Sequence, residues 1–293
     1  SVNKIYSFSY TNPYHTLDGV SRGFSAFFRE RNNGKNNTAD YTSDAYGAGV
    51  DYGFPLSESH RSRLGLRYEH TTIKTTSRTP QSYRDYLDDN TDEFDALKLI
   101  TGWSYDTRNR AIFPDKGMFH NINLDVALPK SGIEYYKIQM QSRLYQPLIK
   151  SLTMLLKGQV GYGDGYGSTT GLPFFQNYFA GGIRTIRGYK SNTLGPKENN
   201  KALGGAFKMV GNAEILFPIP FVEESKSVRL SSFFDIGNVF ANYDGFNADK
   251  LRYSVGVSAE WLSPIGPMVF SLAKPLKEED EDDGAKDYCN LCD

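Results

Sequence analysis

The feature that most constrains this chain is alternation: apolar side chains and small or polar ones exchange places at every second position along the sequence. Tyr46, Ala48, Val50, Tyr52 and Phe54 are interleaved with Gly47, Gly49, Asp51 and Gly53. Ile122, Leu124, Val126 and Leu128 are set against Asn121, Asn123, Asp125 and Ala127. Leu64, Leu66 and Tyr68 stand opposite Arg63, Arg67 and Glu69, while Tyr253, Val255, Val257, Ala259 and Trp261 stand opposite Ser254, Gly256, Ser258 and Glu260. A period of two belongs to strands with one apolar face and not to helices. About thirteen such segments are readable, near 2–12, 19–32, 42–55, 61–76, 93–106, 117–129, 133–147, 151–163, 173–181, 203–217, 226–240, 251–263 and 265–275. Many run beyond ten residues, where strands of soluble proteins usually have about five or six.

Alternation does not say which face is inside, and a soluble sandwich or ligand-binding barrel alternates as well. Three features turn the apolar face outward toward lipid: strand length, polar faces that carry Arg, Glu and Asp, and aromatics near strand ends, such as Trp103, Tyr105, Tyr162 and Trp261. Composition agrees, since only 39% of the residues are hydrophobic and mean hydropathy is -0.50, yet 14% are aromatic. No stretch approaches the roughly 18 apolar residues of a spanning helix, and the start does not read as a secretory signal, so any crossing is made by strands. Connections differ in the same sense: Phe54-Pro55-Leu56 and Tyr145-Gln146-Pro147 read as tight turns, whereas 76–92 and 164–172 are long and polar. The expectation is an all-β, transmembrane antiparallel β-barrel over residues 1–277.

Residues 278–293 read as an acidic tail, disordered or appended, because Glu278 to Asp283 form a charge run ahead of Cys289 and Cys292. That pair lacks the supporting fold or further ligands that redox or metal chemistry needs. His15, His60, His70 and His120 are scattered singly, without ligand spacing. Gly161, Gly163, Gly165 and Gly167 resemble a nucleotide loop only in spacing, since no helix follows. With 33 basic against 34 acidic residues there is no global field for nucleic acid. The expectation is a protein that is not an enzyme and holds neither cofactor nor metal.

Phe174-Phe175-Gln176-Asn177-Tyr178-Phe179-Ala180-Gly181-Gly182, followed by Ile186-Arg187-Gly188-Tyr189, is a more specific signal. Together with Tyr10 to Tyr14, Asp18 to Ser21, Asp106-Thr107-Arg108, Phe113-Pro114, Gly117, Phe233 to Gly237 and Gly266 to Phe270, it resembles in order the BamA family, over about residues 2 to 277. The resemblance implies a sixteen-stranded barrel whose long loop folds into the lumen. It implies that Arg187, in the motif Ile186 to Tyr189, is held by Glu214 and Asp235 of the inner wall. Periodicity independently puts Glu214 on one face with Lys208 and Asn212, and Asp235 on one face with Arg229 and Ser231. Both carboxylates are thus expected in the lumen, enclosed and wet. A guanidinium is a rigid fork that two acids can fix, as lysine is not.

The resemblance further implies a role in the outer membrane of a Gram-negative type of cell, templating unfolded outer-membrane precursors on a weak seam and inserting them into its lipid. Open strand edges recruit other strands, and unpaired amides are expensive in hydrocarbon. Assembly-complex lipoproteins would be partners through POTRA domains outside this sequence. The sequence departs from the family at both ends: it reads as starting at the third strand, and Lys277 runs into acidic residues in place of a closing aromatic strand. A passive channel or a two-partner secretion pore is the other reading; trimeric porins lack the arginine motif, but secretion pores of the same superfamily share it.

Overall fold

The computed structural model describes residues 3–149, 151–219 and 227–279. Twelve strands form one antiparallel sheet: β1 (Asn3–Asn12), β2 (Ser21–Asn32), β3 (Tyr41–Pro55), β4 (His60–Thr75), β5 (Glu93–Asp106), β6 (Gly117–Ala127), β7 (Tyr135–Ile149), β8 (Leu152–Gly165), β11 (Phe207–Phe217), β12 (Val228–Phe240), β13 (Arg252–Ser263) and β14 (Gly266–Pro275). Each pairs with its neighbour in this order, and β1 and β14 are the two edges. Between β8 and β11 lies a long loop. Within it β9 (Lys197–Glu198) and β10 (Lys201–Ala202) form a separate hairpin. Its turn residues Asn199 and Asn200 both have positive φ, as a two-residue hairpin requires.

Register turns alternation into two chemically distinct faces. On one, Phe24, Val50, Leu66, Leu99, Val126 and Tyr136 line up across β2 to β7. Leu156, Ala213, Phe234 and Val255 do so across β8 to β13. This face is open to the surroundings, with Leu66 41% and Val257 51% exposed. Above its aliphatic rows runs an aromatic row, Tyr6, Phe28, Tyr46 and His70. Trp103 and Tyr105 stack at the opposite end of β5, where His60 joins them. An exposed aliphatic band between aromatic belts is the outer surface of a transmembrane barrel.

The other face is polar and covered. Glu69, Lys98, Asn212, Glu214, Asp235 and Ser254 are all buried there. What covers it is the β8–β11 loop, which reaches β7, β11, β12 and β13 through hydrogen bonds. The sheet curls as well: Arg229 of β12 donates to Pro114 O at 2.8 Å, although β6 and β12 would stand about 19 Å apart on a flat sheet. At the end with the long connections, Tyr41, Ile73, Phe94 and Tyr135 pack with Phe174 of the loop and with Tyr83 of helix α1 (Gln81–Asp89) into a buried core. Tyr83 stacks on Phe174 with ring centroids 4.0 Å apart, so that end of the barrel is capped by apolar packing.

The fold corrects several expectations. Segment 173–181 is not a strand: Phe174–Gln176 is a 3-10 turn, and Tyr178 and Ala180 make only isolated bridges, to Gly205 and Leu194. Its residues Phe174, Tyr178 and Ala180 are buried inside the barrel, where the segment packs against the wall and the returning leg of the loop instead of joining the sheet. The count among the described residues is therefore twelve strands in the barrel sheet. The helix α1 falls in the stretch expected to be polar loop. Its signals are Pro80 ahead of Tyr83, Tyr86 and Leu87 at helical spacing. Phe54 and Pro55 end β3, and Tyr145, Gln146 and Pro147 lie within β7 rather than forming its turn. Of the expected tail, Glu279 pairs with Arg252 at 2.8 Å, while Cys289 and Cys292 lie outside the described residues.

Candidate functional site: a buried arginine anchor

The loop tip brings Ile186, Arg187, Gly188 and Tyr189 against four successive strands, and all four residues are buried. Arg187 and Asp235 form a fork: Nε donates to Oδ2 at 2.7 Å and Nη2 to Oδ1 at 2.6 Å. The Arg187 backbone N–H adds a third bond to Oδ2 at 3.0 Å. Nη2 also donates to Glu214 Oε1 at 2.9 Å. The expected trio is thus assembled. One expectation is corrected: the carboxylates are enclosed but not wet, at 2% exposure for Glu214 and 0% for Asp235, because the loop seals over them.

Three residues whose part in the anchor was not read from the sequence complete the site. Lys157 of β8 donates to Glu214 Oε1 at 2.8 Å, so two cations meet two carboxylates and the cluster is formally neutral. Asn212 donates to Asp235 Oδ1 at 2.8 Å and to the loop carbonyl of Thr185 at 2.7 Å. Phe233 presents its ring 3.4 Å from the Arg187 guanidinium carbon. It could have been noticed as an apolar residue on the polar parity of β12, between Ser231 and Asp235. Burial by itself lowers the Arg187 pKa, but the Asp235 and Glu214 bonds outweigh it and hold the guanidinium above its ordinary range.

Neighbouring residues of the motif shape the tip. Ile186 packs with Ala180, Tyr189, Leu194, Val210 and Val239. Gly188 has φ +88°, and a Cβ there would stand 3.3 Å from the Pro275 nitrogen on β14. Tyr189 Oη lies 3.1 Å from Tyr253 O and 2.5 Å from Lys277 O. The tip therefore binds the barrel wall from β11 to the end of β14. Such a cluster positions a loop. Among the described residues no group of His, Cys, Asp and Glu is arranged to hold a metal.

The Omp85 superfamily domain is matched over residues 2–288. The chain belongs to the Omp85 superfamily. Among its relatives, the outer membrane protein assembly factor BamA of Neisseria meningitidis serogroup B is 35% identical over 94% of this chain, which spans 40% of that protein. A SAM50-like protein of Drosophila melanogaster is 24% identical over 61% of this chain and 40% of its own length. The crystal structure of BamA from Haemophilus ducreyi lacking POTRA domains 1-3 superposes with a TM-score of 0.90 at 29% identity, covering 98% of this chain and 61% of that one. CdiB from Acinetobacter baumannii, at 11% identity and a TM-score of 0.58, shares the fold. The chain thus spans about two fifths of the length of the Neisseria relative.

Proposed function

We propose that this Omp85 barrel belongs to an outer-membrane assembly factor that templates and inserts precursor β-barrel proteins. The observation that carries the reading is the sealed Arg187–Asp235–Glu214 cluster inside a lipid-facing barrel, in a chain whose relatives are named as assembly factors. A barrel that catalyses strand pairing at its wall needs that wall held in a defined shape, and a loop fixed to β11–β14 from inside is a brace for it. Clients are unfolded outer-membrane proteins, whose unpaired amides are costly in hydrocarbon until a strand edge receives them. Lipoprotein partners would act through domains outside this chain. No bond-making chemistry, cofactor or nucleic acid enters this role.

The channel or secretion-pore reading draws on the shared fold of CdiB. Against it stands the apolar cap of Tyr41, Tyr83 and Phe174, which closes the long-connection end of the interior. Reconstitution of the full-length protein in liposomes separates the two. Accelerated folding of several unrelated barrel precursors, without steady ion conductance, is the expected result. Conductance alone, or transport of one secreted client, would assign the barrel to the pore class.

A further inference from the structure

Nine residues before Arg187, a second part of the loop is fitted into a different part of the wall. Tyr178 is 6% exposed and lies over Gly161 of β8, where a Cβ would stand 2.8 Å from the ring atom Cε1. The glycine thus makes a slot that any larger residue would fill. Tyr178 Oη lies 3.1 Å from Ile138 O and 3.3 Å from Tyr162 O, at the floor of that slot. Lys137 of β7 closes it from the side: its Nζ is 4.7 Å from the Tyr178 ring centroid and donates to Gln176 O at 2.6 Å. A half-buried ammonium finds its acceptor in the loop backbone and its π-face in the loop tyrosine, so lysine and loop each satisfy the other. The Tyr178 backbone is fixed too, exchanging bonds of 2.8 and 3.0 Å with Gly205, on the returning leg of the same loop.

We infer that Tyr178, in the slot made by Gly161 and Lys137, is a second anchor that holds the lumen loop to β7–β8 independently of the Arg187 cluster on β11–β12. Neither anchor shares a side chain with the other, and the turn at Gly181 and Gly182, both with positive φ, separates them. The loop is then a strut between the middle strands and the C-terminal strands. Its value for assembly rests on the function proposed above, whereas the anchor concerns only where the loop sits.

The test is thiol labelling of Ala180→Cys, a buried position between the two anchors, in the full-length protein in detergent with Cys289 and Cys292 replaced by Ser. Tyr178→Ala and Arg187→Ala are each expected to raise the labelling rate by about tenfold or more, and the double variant by about the product of the two, since each anchor contributes to docking independently. Lys137→Met, which keeps the stem and removes the cation, should raise it less than Tyr178→Ala. Gly161→Leu should expel the tyrosine and raise labelling, and combining it with Tyr178→Ala should bring the rate back down, because the wall now fills its own slot. A double variant no faster than Arg187→Ala alone, or a Gly161→Leu/Tyr178→Ala protein as fast as Tyr178→Ala, would overturn the inference. Precursor insertion is measured separately on the same proteins. Loop release in a protein that never inserts precursors would leave the anchor standing and remove the assembly reading.

Discussion

At the scale of single residues, the asymmetry between the two carboxylates makes a sharp prediction. Glu214 keeps Lys157 when Arg187 is removed, whereas Asp235 keeps only Asn212 and a backbone N–H. Breaking a buried pair by removing one member costs about 3–5 kcal/mol, most of it from the charge left behind. Arg187→Ala is therefore expected to destabilise loop docking by up to about that amount. Proteinase K should then cleave within 182–200, and assembly activity should fall. Normal activity with unchanged resistance of that segment would refute the role. Arg187→Lys should rescue little, since one ammonium cannot reproduce the fork to Asp235. Asp235→Asn should be more damaging than Glu214→Gln by the same cleavage assay. Gly188→Ala should loosen the tip as well, at about 1–3 kcal/mol for a side chain forced to positive φ against β14. A melting temperature of the docked loop that does not change in that variant would contradict the strain.

Among the elements, α1 shows how a loop and a helix hold one another. Its N-cap position is Pro80, which has no capping side chain, and Glu198 of β9 takes over the role. Glu198 accepts from Ser82 Oγ at 2.6 Å and from the Gln81 backbone N–H at 2.6 Å, where the helix dipole also favours an anion. The Ser82 hydroxyl, with the Gln81 and Ser82 amides and Arg84, pulls the Glu198 pKa below its ordinary 4.5, against the opposing effect of burial. A carboxyl group whose folded pKa is depressed adds stability that is fully present above its unfolded pKa and is lost as pH falls through the folded value. Proteolysis of residues 76–92 is therefore expected to rise below about pH 4.5, and Glu198→Gln should show raised cleavage already at pH 7 with a weaker pH dependence. A wild-type and variant with the same acid profile would rule out this cap.

For the whole molecule, the decisive property is that oil lies outside the sheet. Leu66 sits mid-way along an exposed aliphatic row, so Leu66→Arg should destabilise the membrane-embedded barrel by about 2–4 kcal/mol, read from the urea midpoint of unfolding from vesicles. Asn123→Arg points to the polar cavity of about 290 Å³ beside Gln139 and Gln159 and should be nearly silent. Equal effects of the two substitutions would mean that the faces have been assigned the wrong way round. The barrel should also run differently on a gel before and after boiling in detergent.

How much of this was legible beforehand follows the range of the interactions. Alternation is a local property, so twelve of the thirteen strand regions could be read, and parity put Glu214 and Asp235 on the polar face, which strand length and end aromatics turned inward. The motif around Arg187 carried its partners through resemblance. Segment 173–181 misled because Phe174, Tyr178 and Ala180 have strand-like spacing but no partner edge, and pairing is decided by distant chain. Lys157, Asn212 and Phe233 joined the site through cross-strand register, which a single sequence does not display. The sequence by itself determined which residues share a face, because side-chain direction in a strand is set every second residue, and strand length, charged polar faces and end aromatics turned the apolar face to oil. Only the tertiary structure decided that the inner carboxylates are dry and that the loop is held at two places on one wall, because burial there comes from chain folding back over the sheet.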